Sequence, residues 1–338
     1  MNYRTLGKTG FNVSELSLGT WQVGGVWGTG FDHDLAQNLL EAAFDEGVNF
    51  FDTADVYEDG ESEKAVGAFL AKKGSSANIK VATKCGKRIN PFSNENFNPE
   101  VLRGHVEDSL QRLGVETIDL IQLHCPPTEV YYRPEIFGLF DRLKEEGKIQ
   151  YLGVSVEKIE EGVKAIQIEN VTTVQIIYNL FRQRPDDYFF DMAHEKNVGI
   201  IVRVPLASGL LSGKLTPEST FNPNDHRHGN RNGEWFDKGE TFAGVPFETG
   251  LEAVEKLKEI FNGYDSLAQV ALKWILLNQK IGVIIPGASK LQHIQNNMRA
   301  GNIIKLLFSI GMCQVLFFLL LSSYSIIHSE EPSLTSTP

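Results

Sequence analysis

The chain has 338 residues and is poor in cysteine: Cys85, Cys125 and Cys313 are the only three. They form no C-x-x-C pair and no metal-ligand spacing. That excludes a structural zinc site and a disulfide framework, implies no metal, and suits a reducing, cytoplasmic compartment. Positive charge is also short: 32 Lys and Arg stand against 43 Asp and Glu, for a net charge of -11. A general nucleic-acid binder neutralises phosphates with clustered cations, so that class is excluded, although a local basic pocket for one phosphate is not. The first residues, Met1 to Leu6, carry no apolar stretch of the signal-peptide kind. No repeat of the solenoid kind is present. After the first apolar run stands Gly19-Thr20-Trp21, not the G-x-G-x-x-G of an open doubly wound nucleotide-binding sheet.

What is there is an alternation of short apolar runs and amphipathic helices, the pattern of a parallel sheet with crossover helices. The runs are 15–18, 48–51, 79–83, 118–123, 149–154, 173–177, 198–202 and 282–285. Helical spacing covers 34–46, 62–73, 99–113, 134–146, 157–168, 186–196 and 267–278. Eight strands without the Gly-rich signature favour a closed (β/α)₈ barrel. Ahead of it, Tyr3–Leu6 and Phe11–Val13 flank Lys8-Thr9-Gly10 and read as a β-hairpin that caps the barrel. Residues 217–247 break the period; a loop this long is a lid or disordered, and Trp235 within it is a candidate cover for the site. The barrel domain is assigned to residues 1–301 and an atypical apolar tail to 302–338.

In such a barrel the C-terminal strand ends face the active site. Those positions hold Asp52, Lys84, His124, Ser155, Gln175 and Arg203, with Tyr57 in the loop that the second strand feeds. Any one polar residue there could simply mark the end of a strand. Four titratable groups at one mouth imply a division of labour. A tyrosine with a pKa near 10 is a weak acid at neutral pH. A neighbouring ammonium, Lys84, favours its phenolate and lowers that pKa, Asp52 holds Lys84, and His124 hydrogen-bonds a carbonyl oxygen.

The segments Phe51-Asp52-Thr53-Ala54-Asp55-Val56-Tyr57, Ala82-Thr83-Lys84 and Gln122-Leu123-His124 resemble the aldo-keto reductase signature, in the branch that also includes potassium-channel β subunits. The resemblance runs from about Tyr3 to about Gly301. It implies hydride transfer from NADPH, with NADH the lesser candidate, to an aldehyde or ketone, with Tyr57 as general acid. It also admits a second role, as an NADPH-binding regulatory subunit of the channel-associated kind. Ser155 and Gln175 match the residues that hold the carboxamide, and Thr20, Trp21 and Asp52 border the same site. Val156 stands where the family has an asparagine, and Arg203 where it has an aromatic that stacks on the nicotinamide. The pyrophosphate loop is matched by Pro205, Leu206, Ser208, Gly209, Leu210, Ser212 and Lys214. Pro286, Ser289 and Lys290 match the 2′-phosphate site, and Asn297 alone matches among the adenine contacts, His293 and Asn296 replacing the others.

Trp21, Trp27, Tyr57, Phe92 and His124 form a candidate aromatic wall for a small carbonyl substrate. After Gly301 the chain leaves the family pattern, and 303–327 is apolar. Three readings stand for that run: a membrane anchor, which is the one route to membrane association; an altered reading frame; or a buried terminal helix. The oligomeric state is left open.

Overall fold

In the computed structural model, residues 1–25 and 30–304 are described. Trp27, Cys313 and the apolar run from Lys305 onward lie outside them. Among the described residues no helix is long and apolar enough to cross a membrane.

The hairpin forms as expected. Strands β1 (Tyr3–Thr5) and β2 (Asn12–Ser14) pair antiparallel, and Gly10 closes the turn at φ 65, a conformation that glycine adopts without steric cost. Leu6, Phe11 and Val13 insert beneath the barrel against Phe50, Ala82, Leu120, Ile201 and Val283. Arg4 latches the hairpin by donating to the carbonyls of Leu276, Asn278 and Ile281, which lie at and just beyond the end of a helix where carbonyls lack intrahelical partners.

The barrel strands are β3 (Leu18–Gly19), β4 (Phe50–Asp52), β5 (Lys80–Cys85), β6 (Ile118–His124), β7 (Ile149–Ser155), β8 (Val171–Ile177), β9 (Gly199–Arg203) and β10 (Val283–Ile284). All pair in parallel in sequence order. Closure comes from bonds between the first and last segments: Ser17 N–H to Ile284 O at 2.9 Å, Ile284 N–H to Glu15 O at 3.0 Å, and Gly19 N–H to Pro286 O at 3.1 Å. A Cβ on Gly19 would stand 2.9 Å from the Ile285 carbonyl, so the seam requires glycine there.

Helices α1 (His33–Asp45), α2 (Glu61–Lys73), α3 (Pro99–Leu113), α4 (Pro134–Glu145), α5 (Ile159–Ala165) and α6 (Phe189–Glu195) fill the first six crossovers. Local chemistry fixes their ends: Asn98 caps α3 through Val101 N–H, Pro99 occupies its first turn, and Gly114 ends it in the left-handed region. The last crossover departs from the expectation. It holds α7 (His226–Gly229), α8 (Phe247–Ile260) and α9 (Leu267–Leu276), followed after β10 by α10 (Leu291–Met298). Helix α8 was absent from the sequence reading because a template of one helix per strand had no place for it, although Phe247, Gly250, Val254 and Leu257 fall on one buried face. The 217–247 segment is folded rather than loose. Asn230, fully buried, accepts from the backbone N–H of Trp235 and Phe236, and its amide joins His226 on the hydroxyl of Thr241.

Candidate active site

A cavity of about 850 Å³ opens at the C-terminal ends of the strands. Its floor is built around Lys84, whose side chain is fully buried. The ammonium donates to Asp52 Oδ1 at 2.5 Å, to the Thr53 carbonyl at 2.8 Å and to the Tyr57 hydroxyl at 3.1 Å. An ammonium has three N–H groups, so all are committed. Asp52 Oδ2 in turn accepts from Gln122 Nε2 at 3.1 Å and Gln175 Nε2 at 2.8 Å. Gln122 was given no role from sequence, where it stands two residues before His124 on the same strand. Room for it comes from Gly153 on β7: a Cβ there would overlap Thr173 Oγ1 and stand 3.2 Å from Gln122 Cγ.

Electrostatics sort these groups. Burial alone would lower the Lys84 ammonium, but the charges of Asp52 and Tyr57, with the hydrogen bonds to both, raise it above its ordinary value. The Tyr57 phenol is also raised, and this corrects the expectation that Lys84 brings it down. Burial is the main cause, the charge of Lys84 opposes it, and the charge of Asp52 sides with burial. Tyr57 is therefore held protonated beside a cation that favours its conjugate base. His124 lies edge-on to Tyr57, with ring centroids 6.0 Å apart. Burial, with the charges of Lys84, Lys87 and Arg203, pushes its pKa well below the ordinary value, so the imidazole is neutral. Its Nδ1 is buried without a hydrogen-bond partner among the described residues.

Most of the residues assigned from sequence line this cavity. Thr20, Trp21, Asp52, Tyr57, His124, Ser155, Gln175 and Arg203 meet at its floor, and Pro205, Leu206, Ser208, Gly209, Ser212 and Lys214 run along one side. Pro286, Ser289 and Asn297 lie at the far end. Three do not. Leu210 is fully buried and packs in the core beside Gly250, because the turn needs an apolar anchor. Lys290 is exposed and occupies the N-cap position of α10 without a side-chain capping bond. Phe92 is 40% exposed and packs on Phe97 and the Lys87 ammonium, away from the cavity. Trp235 is 48% exposed; its neighbour Phe236 lines the cavity instead. The aromatic wall is thus a stack of Tyr57, Trp21, His226 and Phe236, with successive centroids 6.1, 5.0 and 6.1 Å apart. Two of these come from the 217–247 segment. Burial lowers His226 to about 4, so it acts as a neutral ring.

The side of the cavity after β9 is strained backbone. Val204, Ala207 and Ser208 have φ near +50, a region costly for a β-branched residue. Asn179 Nδ2 donates to the Val204 carbonyl at 2.9 Å and holds this turn. Ser208 Oγ donates to the Glu240 carbonyl and accepts from Phe242 N–H, so its hydroxyl docks the 217–247 segment. Val156 is buried, and its carbonyl accepts from Arg203 Nη2 at 2.8 Å. At the far end, Lys214, His293 and Arg299 line the cavity with Ser289, and Asp265 is the carboxylate among them. Arg299 was missed because the last family contact matched in the sequence is Asn297, two positions before it.

These features fit an elongated dianionic dinucleotide: a polar floor, a stretch of turns with backbone N–H groups, and a cationic end. Cys125, Glu157 and Glu240 bring ligand-type atoms within 4.8 Å of one another, the spacing of a metal site. The Arg203 guanidinium, bonded to Glu240 and 3.8 Å from Cys125 Sγ, already supplies a cation to this group. Burial holds the Cys125 thiol up at about 11, far from a thiolate.

Residues 15–307 match the pattern of the Aldo/keto reductase family. The chain is 30% identical to the aldo-keto reductase YhdN of Bacillus subtilis, covering 86% of each chain. It is 28% identical to the NADH-specific methylglyoxal reductase of Escherichia coli, over 88% of this chain and 93% of that one. It is 30% identical to a probable voltage-gated potassium channel subunit beta of rice, over 91% and 93%. Among solved structures it superposes on the holo form of aldo-keto reductase AKR11C1 from Bacillus halodurans with a TM-score of 0.74 at 27% identity, covering 95% and 96% of the two chains. Because the match extends from the seam of the barrel to beyond its last helix, the chain belongs to the aldo/keto reductase family, a family of oxidoreductases that use a nicotinamide cofactor.

Proposed function

We propose that this protein reduces an aldehyde or ketone to an alcohol with NADPH, and that Tyr57 donates the proton. The observation that carries this reading is the Lys84 ammonium, bonded at once to Asp52, the Thr53 carbonyl and the Tyr57 hydroxyl on the cavity floor. The nicotinamide, when bound, supplies the hydride to the carbonyl carbon. As the carbonyl π electrons move onto oxygen, Tyr57 O–H gives its proton to that oxygen and is left as a phenolate. Lys84 faces the phenolate with a full charge that Asp52, Gln122 and Gln175 hold in place. Neutral His124 offers an N–H to orient the carbonyl. The stack of Trp21, His226 and Phe236 gives the substrate an apolar, aromatic wall and suits small carbonyl compounds.

Ser155 and the carbonyl of Gln175 are the groups on the floor that can hold the carboxamide, since the Gln175 amide is turned toward Asp52 and Gln122. Lys214 and Arg299 support NADPH over NADH, because a 2′-phosphate adds charge where these cations gather, while His293, lowered by burial and by Lys214 and Lys290, adds a neutral ring. Two free, buried cysteines among the described residues and a net charge of -11 agree with a cytoplasmic enzyme acting on small molecules.

The test is NADPH oxidation with a panel of aldehydes, together with fluorescence titration of NADPH and NADH. Wild type turns over, with NADPH bound at least tenfold more tightly than NADH. Tyr57→Phe binds NADPH as before and loses about 10²–10⁴ in turnover, the usual contribution of a positioned acid. Equal turnover by the two proteins would remove Tyr57 from the role. The similarity to a potassium-channel β subunit keeps a regulatory reading alongside; NADPH binding by both proteins with turnover by neither would favour it.

A further inference from the structure

We infer that the Arg203–Glu240 ion pair sets how strongly the site distinguishes the oxidised from the reduced nicotinamide, and that the 217–247 segment controls this through Glu240. The inference rests on the nicotinamide reading above and extends it to a pair of residues which that reading leaves without a role.

Arg203 ends β9 on the cavity floor and is 8% exposed. Its Nη1 donates to Glu240 Oε2 and its Nη2 to the Val156 carbonyl, while Nε is buried without a hydrogen-bond partner among the described residues. Its charge reaches the reacting groups: it opposes the upward shift of Tyr57 and adds to the lowering of His124. The charges around the floor form pairs. Lys84 meets Asp52, Lys87 meets Glu157 at 3.7 Å, and Arg203 meets Glu240. Three cations therefore face three anions, and the floor is close to neutral.

The third pair differs in its origin. Arg203 belongs to the barrel, and Glu240 to the segment that folds over it. That segment is anchored by Phe242, buried in the core, by the stack of His226 on Trp21, and by three polar contacts: Ser208 Oγ to the Glu240 carbonyl, Phe242 N–H to Ser208 Oγ, and Arg182 to Asp237 at 3.8 Å. Reduced nicotinamide is neutral, and the oxidised ring carries one positive charge. A floor with Glu240 in place accepts either. A floor that has lost Glu240 presents an uncompensated cation, which repels the oxidised ring and leaves the reduced ring largely indifferent. Loss of the Glu240 charge thus weakens the hold on the spent cofactor selectively.

The experiment measures dissociation constants of NADP⁺ and NADPH, by calorimetry and by cofactor fluorescence, for wild type, Glu240→Gln, Arg203→Met and the double variant. The ratio of the NADP⁺ constant to the NADPH constant rises about tenfold in Glu240→Gln and falls about tenfold in Arg203→Met, the scale of one unit charge acting across several ångströms in a partly buried site. The double variant returns to within about threefold of wild type, as a coupled pair requires. Glu240→Gln keeps an acceptor for the guanidinium and so preserves the fold. Arg203→Lys keeps the charge and holds the wild-type ratio. A purely structural role would weaken both cofactors together in each single variant and leave the ratio unmoved, which overturns the inference. If wild type binds neither cofactor, the nicotinamide reading fails first and the inference falls with it; if wild type binds both and the ratio does not move, the inference alone fails.

Discussion

The two ends of the barrel are built from the same strands and the same inward-facing positions, yet they have opposite chemistry. Side chains along a strand alternate faces, so residues two apart point the same way. Phe50 faces the hairpin, and two residues on stands Asp52; Ala82 leads to Lys84, Leu120 to Gln122, and Ile201 to Arg203. The lower end meets Leu6, Phe11 and Val13 and is entirely apolar. One step up, each of these four strands presents a charged group or an amide. Burying apolar surface is favourable by itself. Burying Asp52 and Lys84 is favourable only because each has the other and because their remaining sites are hydrogen-bonded. One end of the barrel supplies stability, and the other spends it on holding a charged acid in place.

The contrast breaks most sharply at Lys84. Lys84→Met leaves the Asp52 carboxylate buried without its cation and should cost about 3–5 kcal/mol in urea denaturation, with turnover lost as well. Asp52→Leu combined with Lys84→Met should recover most of that stability and none of the turnover. At the other end, Leu6→Ala should cost about 2–5 kcal/mol through the cavity it opens, while kcat and KM of the folded enzyme stay at wild-type values. A kcat that fell along with stability would show that the two ends are coupled.

The smallest effect probes a boundary between the two ends. Asp55 lies in the turn between Asp52 and Tyr57, fully buried, with neither carboxyl oxygen hydrogen-bonded among the described residues. Burial, reinforced by the charge of Glu63 and opposed by Arg112, Arg88 and Lys84, raises it to about 7. His105 Nδ1 lies 3.8 Å away and, lowered by burial and by Arg88, is neutral there. A carboxyl whose folded pKa exceeds its unfolded value of 3.8 binds its proton more tightly when folded. Its contribution is complete below the unfolded pKa and is lost as pH rises to the folded one. Asp55→Asn should remove that slope. Between pH 5 and 7, wild type should lose about 2–3 kcal/mol relative to the variant, at 1.36 kcal/mol for each pH unit. Parallel stability curves for the two proteins would show that Asp55 is ionised in the folded state.

Much of this contrast was legible in the sequence. The strands, the hairpin and the four titratable groups could be placed because each announces itself locally: an apolar run, a turn glycine, a polar residue directly after a run. What was not legible depends on distance. Gln122 looks like any strand amide until Asp52, seventy positions away, is seen to need a second donor. His226 and Phe236 join the aromatic wall only because a segment with no barrel period folds back across the mouth. The direction of the Tyr57 shift was misjudged because the charge of Lys84 can be read from its neighbourhood in sequence, whereas desolvation depends on everything packed around it. Phe92 was credited to the wall for its place after the third strand, but the chain there turns outward.

Gly153 shows a further kind of contribution. One carbon atom added at that position would press on Thr173 and Gln122. Displacing Gln122 would cost Asp52 an amide donor and loosen the grip on the ammonium beside Tyr57. The alignment of the acid therefore depends on a vacancy three strands away, and every other side chain is larger than the one that fits there. A search that scores residues by the functional groups they carry would pass over Gly153, because it serves the site by carrying none.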